Sequence, residues 1–378
     1  MATASPARAL TMLLPRRVRR LAQRARTLWS VGAFSDPVSL MRQWRHRGAY
    51  GRLQRSLFYH RFATAILVGH ETGVFESLLG GARSIPDVAE LCGLHPRAAE
   101  SLLRILESLG AVGREGDDWT LSEFGSSYLA RSSPFSLSSM LDLMTAQASA
   151  FGELAEGLRT GRSPRALDIF SEDGKYKAFL EAVNSYLRWA ARDLFHQIEL
   201  PAVRTAVVGS MGVSFGAELL SRFPGARLTI GCLEHLVREV PRLLVEYNVP
   251  ASRIDGIHSH GGDPTQDRWG GEAFDLVFLT KKMILEPDRH LGEAFARKAF
   301  GVLRPGGVAI LWETLHTDAG PTPLGRAMEA VLDLGASPTA PARTEAEMRR
   351  LLRGIGYERI EIVPCLGGQT TFVVARKS

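Results

Sequence analysis

The sequence predicts an α/β protein with a mostly parallel seven-stranded sheet, its last strand antiparallel, preceded by an α-rich module. Three observations carry that expectation. From residue 201 onward, short apolar runs alternate with helical segments, the order of a parallel sheet with crossover helices. The last two runs, 359–363 and 370–375, have only "PCLGGQ" between them, too short for a crossover, so they pair antiparallel. Before residue 201 the apolar spacing is helical, broken by one hairpin signal, "AVGREGDDWTLSEFG".

The chain has 378 residues, 45% hydrophobic and 23% charged, a soluble balance with room for a large core. No apolar run reaches the roughly 18 residues of a membrane span. Three cysteines, Cys92, Cys232 and Cys365, are too far apart for a metal spacing or a disulfide framework, so no metal is expected and a reducing, cytoplasmic setting fits. The net charge of +6 is uneven. Residues 1–61 hold thirteen Arg and one acid, Asp36, which makes +12 and leaves the remainder near −6.

The elements follow in order. Residues 1–61 form a basic arm. In "PRRVRRLAQRARTLW", Val18, Leu21, Ala22, Ala25, Leu28 and Trp29 recur at helical spacing with Arg between them. No apolar core or small-residue cleavage site follows, which excludes a signal peptide. The arm either packs on a partner subunit or lies at the periphery of an anionic membrane. Residues 62–130 look like a winged helix. "SIPDVAELCGL" is a short helix, and "HPRAAESLLRILESLG" is a second, with Pro96 near its start and Gly110 as its stop. A hairpin wing with a Gly-Asp-Asp turn follows. Arg97 and Arg104 stand against Glu100 and Glu107, and the wing carries Glu115, Asp117 and Asp118, so this surface does not suit DNA phosphates. A dimerisation module is the expectation. Residues 131–200 are helical, and Met144, Phe151 and Trp189, with Met328 further on, are candidates to line an apolar substrate. Residues 201–378 form the sheet domain, with strands expected at Val203–Val208, Arg227–Cys232, Ile254–His258, Phe274–Thr280, Val308–Glu313, Arg359–Val363 and Thr370–Ala375.

This order, with "AELCGLHPRAAESLLRILESLGAV", "FPGARLTIGCLEHLV", "FDLVFLTKKMILEPD", "GVLRPGGVAILWETL" and "RTEAEMRRLLRGIGYERIEIV", resembles the class I S-adenosylmethionine-dependent methyltransferases. More narrowly it resembles the small-molecule O-methyltransferase family, in which a winged-helix dimerisation domain precedes a Rossmann-like catalytic domain. The resemblance covers roughly 60–378. It implies S-adenosylmethionine as cofactor and a homodimer, or a heterodimer with a relative.

The residues that the resemblance makes functional are altered here. The family's first strand ends in an acid followed by Gly-x-Gly-x-Gly, which lets the backbone approach the cofactor. Those positions are Val207, Gly209, Met211 and Val213, with Gly212 nearby. The acid that grips the ribose is Cys232, with Glu234 two residues on, and the position near the adenine is His260. A catalytic His takes a proton from the substrate hydroxyl in the family, a step that contributes about 10²–10⁴-fold. Its place is Ile284 or Leu285, which accept no proton. Glu313 matches the acid that orients that His. Lys281 and Lys282 stand at the sheet edge that binds ligands in such folds.

The expectation is therefore an O-methyltransferase-family protein of secondary or pigment metabolism with a degenerate cofactor site. It would be a repurposed enzyme or the non-catalytic partner of a relative. Two alternatives stand beside it: an active O- or C-methyltransferase on an apolar or aromatic metabolite with a variant site, and a winged-helix DNA binder that senses a ligand.

Overall fold

The computed structural model describes residues 58–160, 173–260, 274–280, 289–319 and 342–378, with a few positions between 322 and 329. The basic helix expected at 16–29 lies outside them. The chain divides into two compact units, Met1–Ala65 and Ile66–Ser378. Of the first, only 58–65 are described, and they are helical.

In the second unit, α1 (Val74–Ser77) precedes two longer helices, α2 (Ile85–Leu91) and α3 (Pro96–Ser108). Ser84 and Asp87 form a capping box that starts α2, satisfying two orphan N–H groups. Gly110, at φ +77°, follows α3 where left-handed backbone is required, as its place in the sequence predicts. The hairpin is β1 (Val112–Glu115) against β2 (Asp118–Leu121), with Glu115 opposite Asp118. The loop is therefore Gly116-Asp117, and Gly116 at φ +64° supplies the positive angle that a two-residue hairpin loop needs. Leu103, Leu106, Val112 and the fully buried Trp119 make one apolar cluster under these elements. Two surface cations of this module are paired: Arg104 with Glu100 at 2.7 Å and Arg114 with Glu107 at 3.3 Å.

Two long helices follow, α4 (Ser138–Thr160) and α5 (Asp173–Gln197). Beyond them come the seven strands of one sheet: β3 (Thr205–Gly209), β4 (Arg227–Leu233), β5 (Ile254–His260), β6 (Phe274–Thr280), β7 (Leu303–Glu313), β10 (Glu358–Cys365) and β11 (Thr370–Arg376). A separate two-residue pair, β8 (Leu315–His316) and β9 (Arg343–Thr344), lies outside it. All seven expected strands are present. Their spatial order is β10-β11-β7-β6-β3-β4-β5, with β11 antiparallel to both neighbours. Several ends move by one or two residues, and the largest difference is at β7, which begins at Leu303, before the Pro-Gly-Gly turn, because Gly306 donates to the Lys377 carbonyl and the Lys377 amide donates to the Gly307 carbonyl.

Helices cover both faces. α5, α6 (Val213–Arg222) and α7 (Val240–Glu246) pack on one cluster with Ala206, Val208, Ile230, Phe278 and Ile310. α8 (Arg289–Val302) and α9 (Glu345–Ile355) pack on the other with Val207, Val277, Leu311 and Val373. The alternation of odd and even strand residues between the two clusters is the strand period of two. At the opposite end from the functional edge, Asp275 ties three elements together. It accepts from the amides of Arg204 at 2.8 Å and Thr205 at 3.0 Å and from the Arg304 guanidinium at 2.9 Å. Burial pushes its carboxyl up, but these donors outweigh it and hold it below the usual value.

Candidate cofactor edge

The strand order reverses at β3, which has β4 on one side and β6 on the other. In open parallel sheets, ligands bind at the carboxyl ends of the strands beside such a switch point. The parallel register brings most of the expected positions to that edge. Gly209 ends β3 and pairs with Gly231, Cys232 pairs with Ser259, and His260 ends β5 opposite Leu233. Glu313 ends β7, buried, opposite Thr371. The side chain of His260 is outside the described set, as are Lys281, Lys282, Ile284 and Leu285, which follow β6 directly.

The turn between β3 and α6 is a short 3₁₀ segment, Ser210–Gly212, running into α6 at Val213. Every residue from Gly209 to Gly216 is buried. Met211 is 7% exposed, Val213 fully covered and Cys232 2% exposed, and all three belong to one apolar cluster with α5 and α6. Val207 is buried in the cluster on the other face. Glu234 stands in solvent on the turn after β4.

Gly212 in the turn and Gly216 in α6 serve packing. A Cβ on Gly212 would lie 2.7 Å from the ring of Phe278, and one on Gly216 would lie 2.8 Å from Leu228. Phe278 cannot swing aside easily, because it stacks on Phe215 with centroids 3.8 Å apart and planes at 7°.

Asn184 on α5 is a site residue that sequence reasoning missed. It is fully buried. Its Nδ2 donates to the carbonyls of Leu180 and Ser210, both at 3.0 Å, and its Oδ1 accepts from the amide of Ser214 at 2.9 Å. The signal was there: in "FLEAVNSYLRWA" Asn184 sits between Leu180 and Leu187 on the stripe that faces the core.

Of the substrate-lining candidates, Met144 is exposed on α4. Trp189 packs against Tyr128 and Phe135, with centroids 5.3 and 5.6 Å away. It lines a cleft of about 230 Å³ together with Arg188, Glu246 and Tyr247. The Phe151 side chain and Met328 lie outside the described residues. A second aromatic pair, Tyr186 on α5 and Trp312 near the end of β7, stacks at 6.1 Å. Among the described residues no group of His, Cys, Asp or Glu could hold a metal ion, and no helix is long and apolar enough to cross a membrane. None of the three cysteines is in a disulfide, and burial pushes the Cys365 thiol up to about 12.

A seven-stranded sheet with one antiparallel strand inserted beside the edge, helices on both faces and a helical N-terminal module is the class I methyltransferase fold. No protein-family model matches the chain. Curated relatives do. Acetylserotonin O-methyltransferase of Mus musculus is 25% identical over 371 residues, covering 88% of this chain and 92% of the relative. The 3-hydroxy-5-methyl-1-naphthoate 3-O-methyltransferase of Streptomyces sahachiroi is 25% identical over 303 residues, covering 78% and 85%. Among solved structures, human N-acetylserotonin methyltransferase in complex with SAM aligns with a TM-score of 0.73 at 21% identity, covering 87% of this chain and 98% of that one. In sequence the chain is related to O-methyltransferases at about a quarter identity over most of its length, and in fold it matches them.

Proposed function

We propose that this protein keeps the O-methyltransferase fold but has filled the cofactor seat with its own side chains, so that it binds S-adenosylmethionine weakly or not at all. The observation that carries this reading is the burial of Met211, Val213 and Cys232 in one continuous apolar cluster at the carboxyl edge of β3 and β4. The residues present do not fit the grips that the family resemblance implies. Met211 and Val213 occupy the path that glycines would leave open. Val207 and Cys232 provide no carboxylate for an ammonium or a ribose.

On this reading the protein belongs to small-molecule metabolism as a repurposed enzyme or as the structural partner of an active relative. The flat aromatic hydroxy compounds named for its relatives, acetylserotonin and a hydroxynaphthoate, suggest the class of ligand. It would act as a homodimer or a heterodimer with a relative, through the module around α2, α3 and the hairpin. A second reading, methyl transfer with a variant site, is favoured by the relationship over 88% of the chain and by the exposed carboxylate of Glu234 two residues past Cys232. Calorimetric titration with S-adenosylmethionine decides between them. Binding weaker than millimolar, or none, is expected; a dissociation constant in the low micromolar range restores the second reading.

A further inference from the structure

The β3–α6 turn is held from both ends by one side chain. The amides in the first turn of a helix have no partner inside the helix, and the helix start is therefore the usual place for an anionic ligand group. Here the N-cap of α6 is Gly212, which has no side chain to cap with. The cap comes instead from a different helix, through Asn184 Oδ1 on the Ser214 amide at 2.9 Å. The same carboxamide donates to the Ser210 carbonyl at 3.0 Å, so its two bonds to the turn bracket Met211, Gly212 and Val213.

The orientation of the carboxamide is determined by chemistry. Leu180 and Ser210 offer carbonyls, which only accept, and Ser214 offers an N–H, which only donates. Only one of the two amide orientations satisfies all three. A buried amide without partners is costly, and Asn184 is fully buried, so these bonds are what allow it there.

We infer that Asn184 occupies, from within the fold, the hydrogen-bonding place that a ligand carboxylate would take at the start of α6. It is a positioning residue that keeps the turn in its filled form. Any carboxylate reaching the Ser214 amide would have to displace a buried carboxamide that already has three partners. The inference deepens the reading of a filled seat and rests on it for the identity of the turn, but it can fail separately.

The test is amide hydrogen exchange on the full-length chain, followed at Ser214 or in the peptide spanning 210–216. In the wild type this amide exchanges slowly, and millimolar S-adenosylmethionine leaves it unchanged. Asn184→Leu keeps the branched skeleton of four heavy atoms, in a somewhat bulkier side chain, but removes donor and acceptor, so exchange at Ser214 rises roughly tenfold, the effect of about one net hydrogen bond. Peptides from β10 and β11 stay as slow as before. Asn184→Asp keeps the acceptor, so protection at Ser214 is restored relative to the leucine variant. Fast exchange at Ser214 in the wild type, which requires no variant to fold, would overturn the inference. So would a folded leucine variant as slow as the wild type. Tight cofactor binding with Ser214 still protected would instead sink the functional reading and leave Asn184 in its role.

Discussion

Replacing Cys232 by Asp restores the carboxylate that the family resemblance expects, and it tests whether the seat is filled. If the edge were an open cofactor site, the new carboxylate would face ligand space or water and cost little. Cys232 is 2% exposed in an apolar cluster. A carboxyl there has to be kept protonated. Holding an Asp neutral at pH 7 against an ordinary value near 3.9 costs at most about 4 kcal/mol, since each unit is worth about 1.4 kcal/mol. Burying the neutral acid without good partners adds roughly 1–3 kcal/mol. The expected loss at pH 7 is therefore up to about 5–7 kcal/mol, against about 1 kcal/mol for Cys232→Ala. The pH dependence has a definite sign. The buried acid has a raised value, so above pH 4 the folded state holds a proton that the unfolded state has released, and stability falls as pH rises. The penalty should shrink to roughly 1–3 kcal/mol near pH 4. Urea unfolding of both variants and the wild type, at pH 7 and pH 4.5, measures all of this from the midpoint shift at unchanged slope. A Cys232→Asp protein as stable as wild type at pH 7 would refute the reasoning and indicate an open seat.

Further outcomes follow from other contacts. Gly212→Ala places a methyl 2.7 Å from a ring that is stacked on Phe215, so it should cost about 1–3 kcal/mol in thermal or urea unfolding; a neutral result would mean the turn can shift. Asp275→Asn should cost about 1.5–3 kcal/mol, because hydrogen bonds to a charged acceptor are lost at the base of β3. In the wild type, the depressed value of Asp275 contributes stability that is complete above pH 4 and is lost as pH falls through the lower folded value; an acid-unfolding curve unchanged by Asp275→Asn would contradict this. Ile284→His should create no methyl transfer to phenols, and turnover with a base titrating near pH 6–7 would show that the cofactor does bind. Sedimentation at micromolar concentration should show a dimer of the full chain, and a compact monomer would remove the proposed role of the N-terminal module.

Strand positions were legible because local alternation and turn residues report them. Phe274–Thr280 was placed to the residue, and "PCLGGQ" announced the antiparallel ending before any register was known. The stop at Gly110 and the loop glycine of the hairpin were legible for the same reason, since a positive φ restricts the residue type on the spot. The altered cofactor positions could be read as missing chemistry, but their consequence could not. Whether Met211 and Cys232 line a space or fill one depends on what α5 brings against them, and α5 lies outside the turn in sequence.

Asn184 and Ser214 are thirty residues apart, and Gly212 meets Phe278 only because β6 is paired beside β3. A polar residue on an apolar stripe signals a partner without naming it. Sequence alone therefore determined the elements and their order along the chain, because those depend on residue type and short spacing. The tertiary structure decided that Met211, Val213 and Cys232 are buried in one cluster and that Asn184 clasps the β3–α6 turn, because burial and hydrogen-bond pairing exist only once distant segments share one core.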